Sequence, residues 1–209
     1  MNIQTITKML IDAGIEPNEA KIEIKMLLEH FCKYTEKDRL MGLEPENIEI
    51  IEEKVQERIK TRIPVQYLIG EAYFMGEFFK VTSDVLIPRD ETEILVRRAI
   101  EFIIKNDFKH VLDMGTGSGC IGITLAKKFP ESRVLGVDVS EKALKVAQKN
   151  KHNLEADNID FMLSDLFGEL GNDITFNTIV SNPPYIPTKV IETLQDEVRL
   201  HDPLLALDG

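Results

Sequence analysis

His110-Val111-Leu112-Asp113-Met114-Gly115-Thr116-Gly117-Ser118-Gly119 is the stretch that decides the fold. Residues 110–113 read as a short strand. Three alternating glycines follow it, and a segment with helical periodicity then runs to Phe129. Glycine tolerates positive φ and lets a ligand approach the backbone, and the start of a helix attracts negative charge. Outward from this turn, residues 91–105 read as a helix. Strands at 133–137, 159–163 and 176–181 follow, with a helix around Ala143, Leu144 and Ala147 between the first two. Alternation of this kind implies an α/β domain with a parallel sheet and helices on both faces.

The glycine pattern discriminates among nucleotide-like ligands. A nicotinamide-type fingerprint needs Gly or Ala where this chain has Cys120, and Asp113 stands just ahead of the first glycine. A carboxylate there is awkward beside a pyrophosphate but useful beside an ammonium. S-adenosylmethionine carries an ammonium and no phosphate, so it fits better. Asp113, Gly115, Thr116, Gly117, Ser118 and Gly119 are accordingly the first candidates for holding it. Asp138 ends the second strand, where a carboxylate can accept from both ribose hydroxyls. Asp165 follows the third strand and could accept from the adenine amino group, with Leu166 or Phe167 packing on the ring. A helix cap with apolar core neighbours is the competing reading of those three.

The second informative stretch is Asn182-Pro183-Pro184-Tyr185, directly after the apolar run Thr178-Ile179-Val180-Ser181. Proline has no backbone N–H, so Pro183 and Pro184 offer carbonyls only, and Asn182 adds a side-chain amide. A planar –NH2 group needs two acceptors, which the Asn182 oxygen and the Pro183 carbonyl would supply. Tyr185 is placed to stack on a planar acceptor. With the glycine turn, these residues suggest transfer of a methyl group onto an amide or amino nitrogen. Asn182, Pro183, Pro184 and Tyr185 are the candidate catalytic residues, and Asn182 is also a candidate cofactor contact. No general base stands out.

Composition narrows the partners. The 209 residues suffice for a small domain beside a medium one, and 43% hydrophobic with 29% charged residues is ordinary for a globular chain. A formal charge of −11 argues against sequence-independent binding to DNA or RNA, which rests on phosphate neutralisation by Lys and Arg. Cys32 and Cys120 lack metal-ligand spacing, so reduced thiols, no metal and a cytoplasmic location are expected. The sequence shows no signal-peptide core and no apolar run long enough for a membrane span.

Residues 1–70 read as a small all-α domain that contacts a substrate or partner. Ile3, Ile6 and Leu10 share a face ended by Gly14, and Pro17 lies near the start of a second helix. Thr35 with Asp38 resembles a capping pair, and Pro45 is placed to open a helix carrying Ile48, Ile51, Val55 and Ile59. Residues 71–89 read as a linking β-hairpin around Gly76, and 90–209 as the partial methyltransferase domain.

Together the chain resembles the release-factor glutamine methyltransferase family along essentially its whole length. The resemblance rests on Pro64-Val65-Gln66-Tyr67-Leu68-Ile69-Gly70, the segment from Phe78 to Arg89, the Asp113 glycine turn and Asn-Pro-Pro-Tyr-Ile at 182–186. Leu194, Glu197-Val198 and Asp202-Pro203-Leu204-Leu205-Ala206-Leu207 extend it. It implies a class I, Rossmann-like, S-adenosylmethionine-dependent fold. It also implies methylation of N5 of the glutamine in the Gly-Gly-Gln tip of peptide chain release factors. By that likeness Gly115 to Gly119, Asp138, Leu166 and Asn182 would hold cofactor, and Asn182 to Tyr185 the glutamine. Asn-Pro-Pro-Tyr alone is shared with methyltransferases of adenine or guanine amino groups, so a nucleic-acid enzyme is the alternative.

Two departures stand out. Where the family has Pro-Arg-Pro-Glu-Thr-Glu, this chain has Pro88-Arg89-Asp90-Glu91-Thr92-Glu93. Asp90 can cap the next helix with Glu93 completing a box. Arg89 and Glu91 are either structural or shape the cofactor entrance. The family's sheet also has strands beyond the four legible here, which would need roughly 60 further residues. The expectation is therefore a C-terminally truncated sheet whose fourth strand is an unpaired, association-prone edge, and a cofactor-binding chain without turnover is a third reading.

Overall fold

A computed structural model of the chain describes residues 2–171 and 173–209; Met1, at the start of the expected helical domain, and Asn172 lie outside the described residues. The chain forms two compact units, Met1–Ile69 with Gln195–His201, and Gly70–Leu194 with Asp202–Gly209.

The first unit holds α1 (Ile3–Asp12), α2 (Pro17–Phe31), α3 (Glu36–Leu40), α4 (Ile48–Thr61) and α5 (Val65–Ile69). Apolar residues of α1, α2, α4 and α5 meet in one core of Ile6, Leu10, Ala20, Ile24, Leu27, Ile51, Val55 and Val65, to which α3 adds no buried residue. Thr35 and Asp38 form a reciprocal capping box on α3. Pro45 does not open α4, whose N-cap is Asn47 in the left-handed region. Gln195–His201 was expected in the methyltransferase domain but belongs here. Its Glu197 accepts from Arg58 at 3.0 Å, while Glu23 accepts from the same buried guanidinium, also at 3.0 Å.

The second unit opens with β1 (Glu71–Phe74) and β2 (Glu77–Lys80), an antiparallel pair. It is no mere linker, because Phe74 and Phe79 are buried in the core beneath the main sheet. Residues 85–87 are not strand. Then come α6 (Asp90–Asn106), β3 (His110–Met114), α7 (Cys120–Lys128), β4 (Arg133–Asp138), α8 (Glu141–Asn153), β5 (Ile159–Leu163) and β6 (Thr178–Ser181). The short helices α9 (Thr188–Ile191) and, in the first unit, α10 (Asp196–His201) complete the chain's elements, with a 3-10 turn over Leu204–Ala206.

The main sheet is parallel, in the order β5-β4-β3-β6. The chain steps from β3 through β4 to β5 in one direction across the sheet, and the right-handed rule for parallel crossovers puts the connecting helices on one face. Val96, Ala99 and Ile103 of α6 and Ile121, Ile123 and Leu125 of α7 share a core there with Val111, Val134, Ile159 and Val180. By the two-residue alternation, Leu112, Met114 and Val137 point the other way, where Leu170 and Phe176 of the β5–β6 connection pack on them. The expectation of helices on both faces is corrected accordingly: among the described residues a connecting segment, not a helix, covers that second face. β6 lies at the sheet edge with Ile179 53% exposed.

Candidate active site

The order of strands reverses at β3, since the chain leaves β5 at one edge and returns as β6 at the other. Open parallel sheets bind ligands outside the carboxyl ends of their strands at such a reversal. All four carboxyl ends here open onto one cavity of about 540 Å³, lined by Gly115–Ser118, Asp138, Ser164–Leu166 and Ser181–Pro184. That volume lies within the range of small-molecule sites.

The glycine turn is tied down from below. Asp113 is 0% exposed, and its Oδ2 accepts from Thr116 Oγ1 at 2.6 Å and from the Gly122 N–H at 2.8 Å. Its Oδ1 has no partner among the described residues. Burial pushes the Asp113 carboxyl up to about 6, against the lowering effect of those two bonds, with the Asp138 charge adding to the rise. Asp113 therefore sits beneath the turn and is not part of the cavity lining, which differs from a direct contact with a ligand ammonium. Above it, Gly115 and Gly117 have φ of +71° and +55°, and a β-carbon added at either would meet no atom within 4 Å. They form an open cradle at the cavity wall. Gly119 differs. It is buried, and a β-carbon there would stand 2.9 Å from Ile123 Cδ1, so it serves helix packing.

Asp138 Oδ2 accepts from the Gly117 N–H at 2.8 Å and Oδ1 from the Ser140 N–H at 2.9 Å, which fixes the carboxylate at the cavity edge. Each oxygen retains a lone pair for a further donor. Asp165 and Leu166 line the same cavity from the loop after β5, where Ser164 Oγ donates to the Leu166 carbonyl and Leu166 adopts a φ of +50°. Phe167 is exposed and outside the lining.

Opposite the cradle, Asn182, Pro183 and Pro184 form the rim. Asn182 Nδ2 donates to Thr92 Oγ1 at 3.1 Å, and no described residue donates to the Pro183 or Pro184 carbonyl. Tyr185 is 75% exposed and lies outside the lining, so the structure does not bring it to the other rim residues' cavity. Arg89 and Thr92, at the start of α6, do line the cavity, as do Pro203, Leu205 and Ala206. The Arg89 guanidinium donates to the buried carboxylate of Asp202 at 2.6 Å. Glu91 is exposed, and the expected Asp90–Glu93 cap is absent. Arg89 is the N-cap, and Glu93 instead accepts from the Met75 N–H in the β1–β2 turn at 2.7 Å.

Sequence reasoning missed Thr92, Asp202 and Asn150 as structural members of this site. Asn150 Nδ2 donates to the Ser118 carbonyl at 2.8 Å and to the Lys80 carbonyl, while its Oδ1 accepts from the Lys80 N–H. Each acts across tens of residues, and local spacing carries no signal for that. Among the described residues no group of three potential metal ligands occurs, and no helix is long and apolar enough to cross a membrane.

A glycine cradle and an edge carboxylate facing a donor-poor Asn-Pro-Pro rim, on a parallel sheet with this order, define a class I S-adenosylmethionine-dependent methyltransferase. Residues 91–198 match the model of the methyltransferase small domain, and residues 3–70 that of the PrmC N-terminal domain. Curated relatives of the chain carry the name release factor glutamine methyltransferase, among them the following three. The protein from Thermodesulfovibrio yellowstonii is 39% identical over 92% of this chain and 71% of its own. That from Caulobacter vibrioides is 38% identical over 96% of this chain and 70% of its own. That from Fusobacterium nucleatum is 44% identical over 75% of this chain but only 44% of its own. The chain belongs to the release factor glutamine methyltransferase family, and it spans about 70% or less of these relatives' lengths.

Proposed function

We propose that this chain methylates N5 of the glutamine side chain in the Gly-Gly-Gln tip of peptide chain release factors, in the cytoplasm where those proteins act. The observation that carries the reading is the pair of acceptors at the rim, the Asn182 side-chain oxygen and the Pro183 carbonyl, beside the glycine cradle. A glutamine amide donates two N–H bonds, and two fixed acceptors orient its nitrogen without removing a proton first. S-adenosylmethionine, when bound, supplies an electrophilic methyl on a sulfonium. Gly115 and Gly117 would receive its backbone-hugging part, Asp138 its ribose hydroxyls, and Leu166 the edge of its adenine. Tyr185, exposed next to the rim, is available to cover an incoming glutamine. The match of residues 3–70 to the PrmC N-terminal domain supports a protein substrate over a nucleic acid, as does the net charge of −11.

The test is transfer of labelled methyl from S-adenosylmethionine to a purified release factor, with a Gln→Ala variant of its Gly-Gly-Gln tip and duplex DNA as parallel acceptors. Label on the intact factor alone is the expected result. Label on DNA would move the protein to the nucleic-acid enzymes. Cofactor binding without label on any acceptor would make the chain a binder without turnover.

A further inference from the structure

Asn150 of α8 is 1% exposed, and its side chain makes three hydrogen bonds, all to backbone. Its Oδ1 accepts from the Lys80 N–H at 2.7 Å, and its Nδ2 donates to the Lys80 carbonyl at 3.0 Å and to the Ser118 carbonyl at 2.8 Å. A backbone N–H can only donate and a carbonyl can only accept, so these partners allow the amide one orientation. The two ends of the clamp belong to two walls of the cavity. Ser118 stands in the glycine turn and lines it. Lys80 ends β2, and the chain leaving it runs directly into residues 83–89, all of which line the cavity as well. Asn150 itself is outside the lining. The bridge between Lys142 and Asp84, at 3.6 Å, also joins two lining segments, but its lysine is 76% exposed and solvent screens it.

We propose that Asn150 is a positioning residue for S-adenosylmethionine, which holds the glycine turn and the 83–89 wall at their binding separation before the cofactor arrives. The inference rests on the cavity being the cofactor site, and it deepens that reading. Walls fixed in advance spare the ligand the entropy of ordering them, and that saving appears as affinity. The β1–β2 hairpin, from which the second wall departs, becomes part of the cofactor site without touching the cofactor.

A matched control separates this role from plain stability. Asn158 Nδ2 also donates to three backbone carbonyls, those of Ala126, Phe129 and Ser132, and none of these four residues lines the cavity. Binding of S-adenosylhomocysteine, the product of the transfer, is measured by calorimetry for wild type, Asn150→Ala and Asn158→Ala at a temperature where all three are folded. N150A is expected to raise the dissociation constant about tenfold, the equivalent of one neutral hydrogen bond, and N158A to leave it within about twofold. An N150A constant within twofold of the wild type overturns the proposal. Equal weakening in the two variants overturns it too, since the effect would then follow stability and not the clamp. In the wild type, without denaturant, hydrogen exchange of the Lys80 amide is expected to slow when S-adenosylhomocysteine is added. A Lys80 amide indifferent to the ligand overturns the proposal, even if N150A fails to fold. A wild type that binds no S-adenosylhomocysteine would overturn the cofactor reading of the cavity and this inference with it. Neither measurement needs methyl transfer, so failure of the release-factor assay would overturn the substrate reading alone.

Discussion

The two halves of the cavity are built by opposite rules. In the glycine turn the backbone is tied down by side chains, although Asp113 Oδ1 and Ser118 Oγ are buried without a partner among the described residues. Asp113 holds Thr116 and Gly122 from below, Asp138 takes the Gly117 N–H, and Asn150 takes the Ser118 carbonyl. In the Asn182 rim no described residue donates to the Pro183 carbonyl or the Asn182 oxygen, the Pro184 carbonyl lies against Gly209, and order comes from a side-chain tie to the start of α6. Open acceptors at a wetted rim cost little, because water satisfies them until a ligand arrives. The comparison teaches that one half is organised to hold a ligand in a fixed shape, whereas the other presents acceptors to a ligand that brings donors.

The sharpest way to break that contrast is Asn182→Ala. It removes one of the two acceptors and leaves the turn untouched. Loss of a single preorganised hydrogen-bonding group in an active site typically costs about 10²–10³ in kcat. The cofactor dissociation constant is expected to move less than tenfold, because Gly115, Gly117 and Asp138 remain. Single-turnover methylation beside calorimetric binding separates the two numbers. A loss of binding as large as the loss of rate would mean that the rim serves the cofactor and not the acceptor.

The turn is tested through its buried carboxylate. Asp113 titrates at 3.8 in the ordinary case and at about 6 when folded, mainly because it is buried. The folded form holds the proton more tightly, so the group's contribution to stability is fully present below pH about 4 and is lost as pH rises to about 6. Two units correspond to roughly 3 kcal/mol as an upper bound. Asp113→Asn does not titrate. The difference in urea-unfolding free energy between wild type and variant should therefore fall across that interval and stay flat above it. Parallel curves would show that the turn does not depend on this charge.

Much of the sheet was legible because its signals are local. The alternation of Val111 and Leu112 with the glycines of 115–119, and the apolar run before Asn182, mark strands and turns within a few residues of themselves. The carboxyl ends of the strands then converge by topology alone. What the sequence hid is contact across distance. Thr92 meets Asn182, Arg89 meets Asp202, and Asn150 ties the hairpin to the glycine turn, each through a partner that no spacing rule reaches. Asp113 was placed in the ligand's path because a carboxylate just ahead of the glycines suits an ammonium. Strand alternation turns its side chain under the turn with Val111, toward α7 and the Gly122 N–H. Glu93 was read as a cap because the helix starts nearby, yet the hairpin offered it the Met75 N–H instead.

The smallest expected effect probes how the rim is braced. Arg89 is 39% exposed and donates to Asp202, whose side chain is buried, so the pair is neither a free surface bridge nor a fully buried one. Asp202→Asn keeps an oxygen for the Arg89 N–H and the shape of the side chain, and it removes the charge. A charge-assisted hydrogen bond is roughly twice as strong as a neutral one, so the change is worth about 1 kcal/mol. Asp202 begins the segment whose Pro203, Leu205 and Ala206 line the cavity, and Leu207 in the same segment accepts from the Ile186 N–H beyond the rim. The weakening should therefore appear at the acceptor side, as a rise of about fivefold in KM for the release factor, with cofactor binding unchanged. High salt should produce a smaller version of the same shift in the wild type and almost none in the variant. A shift in cofactor binding instead would show that the segment braces the glycine half, and the division of the cavity into two independently built halves would have to be given up.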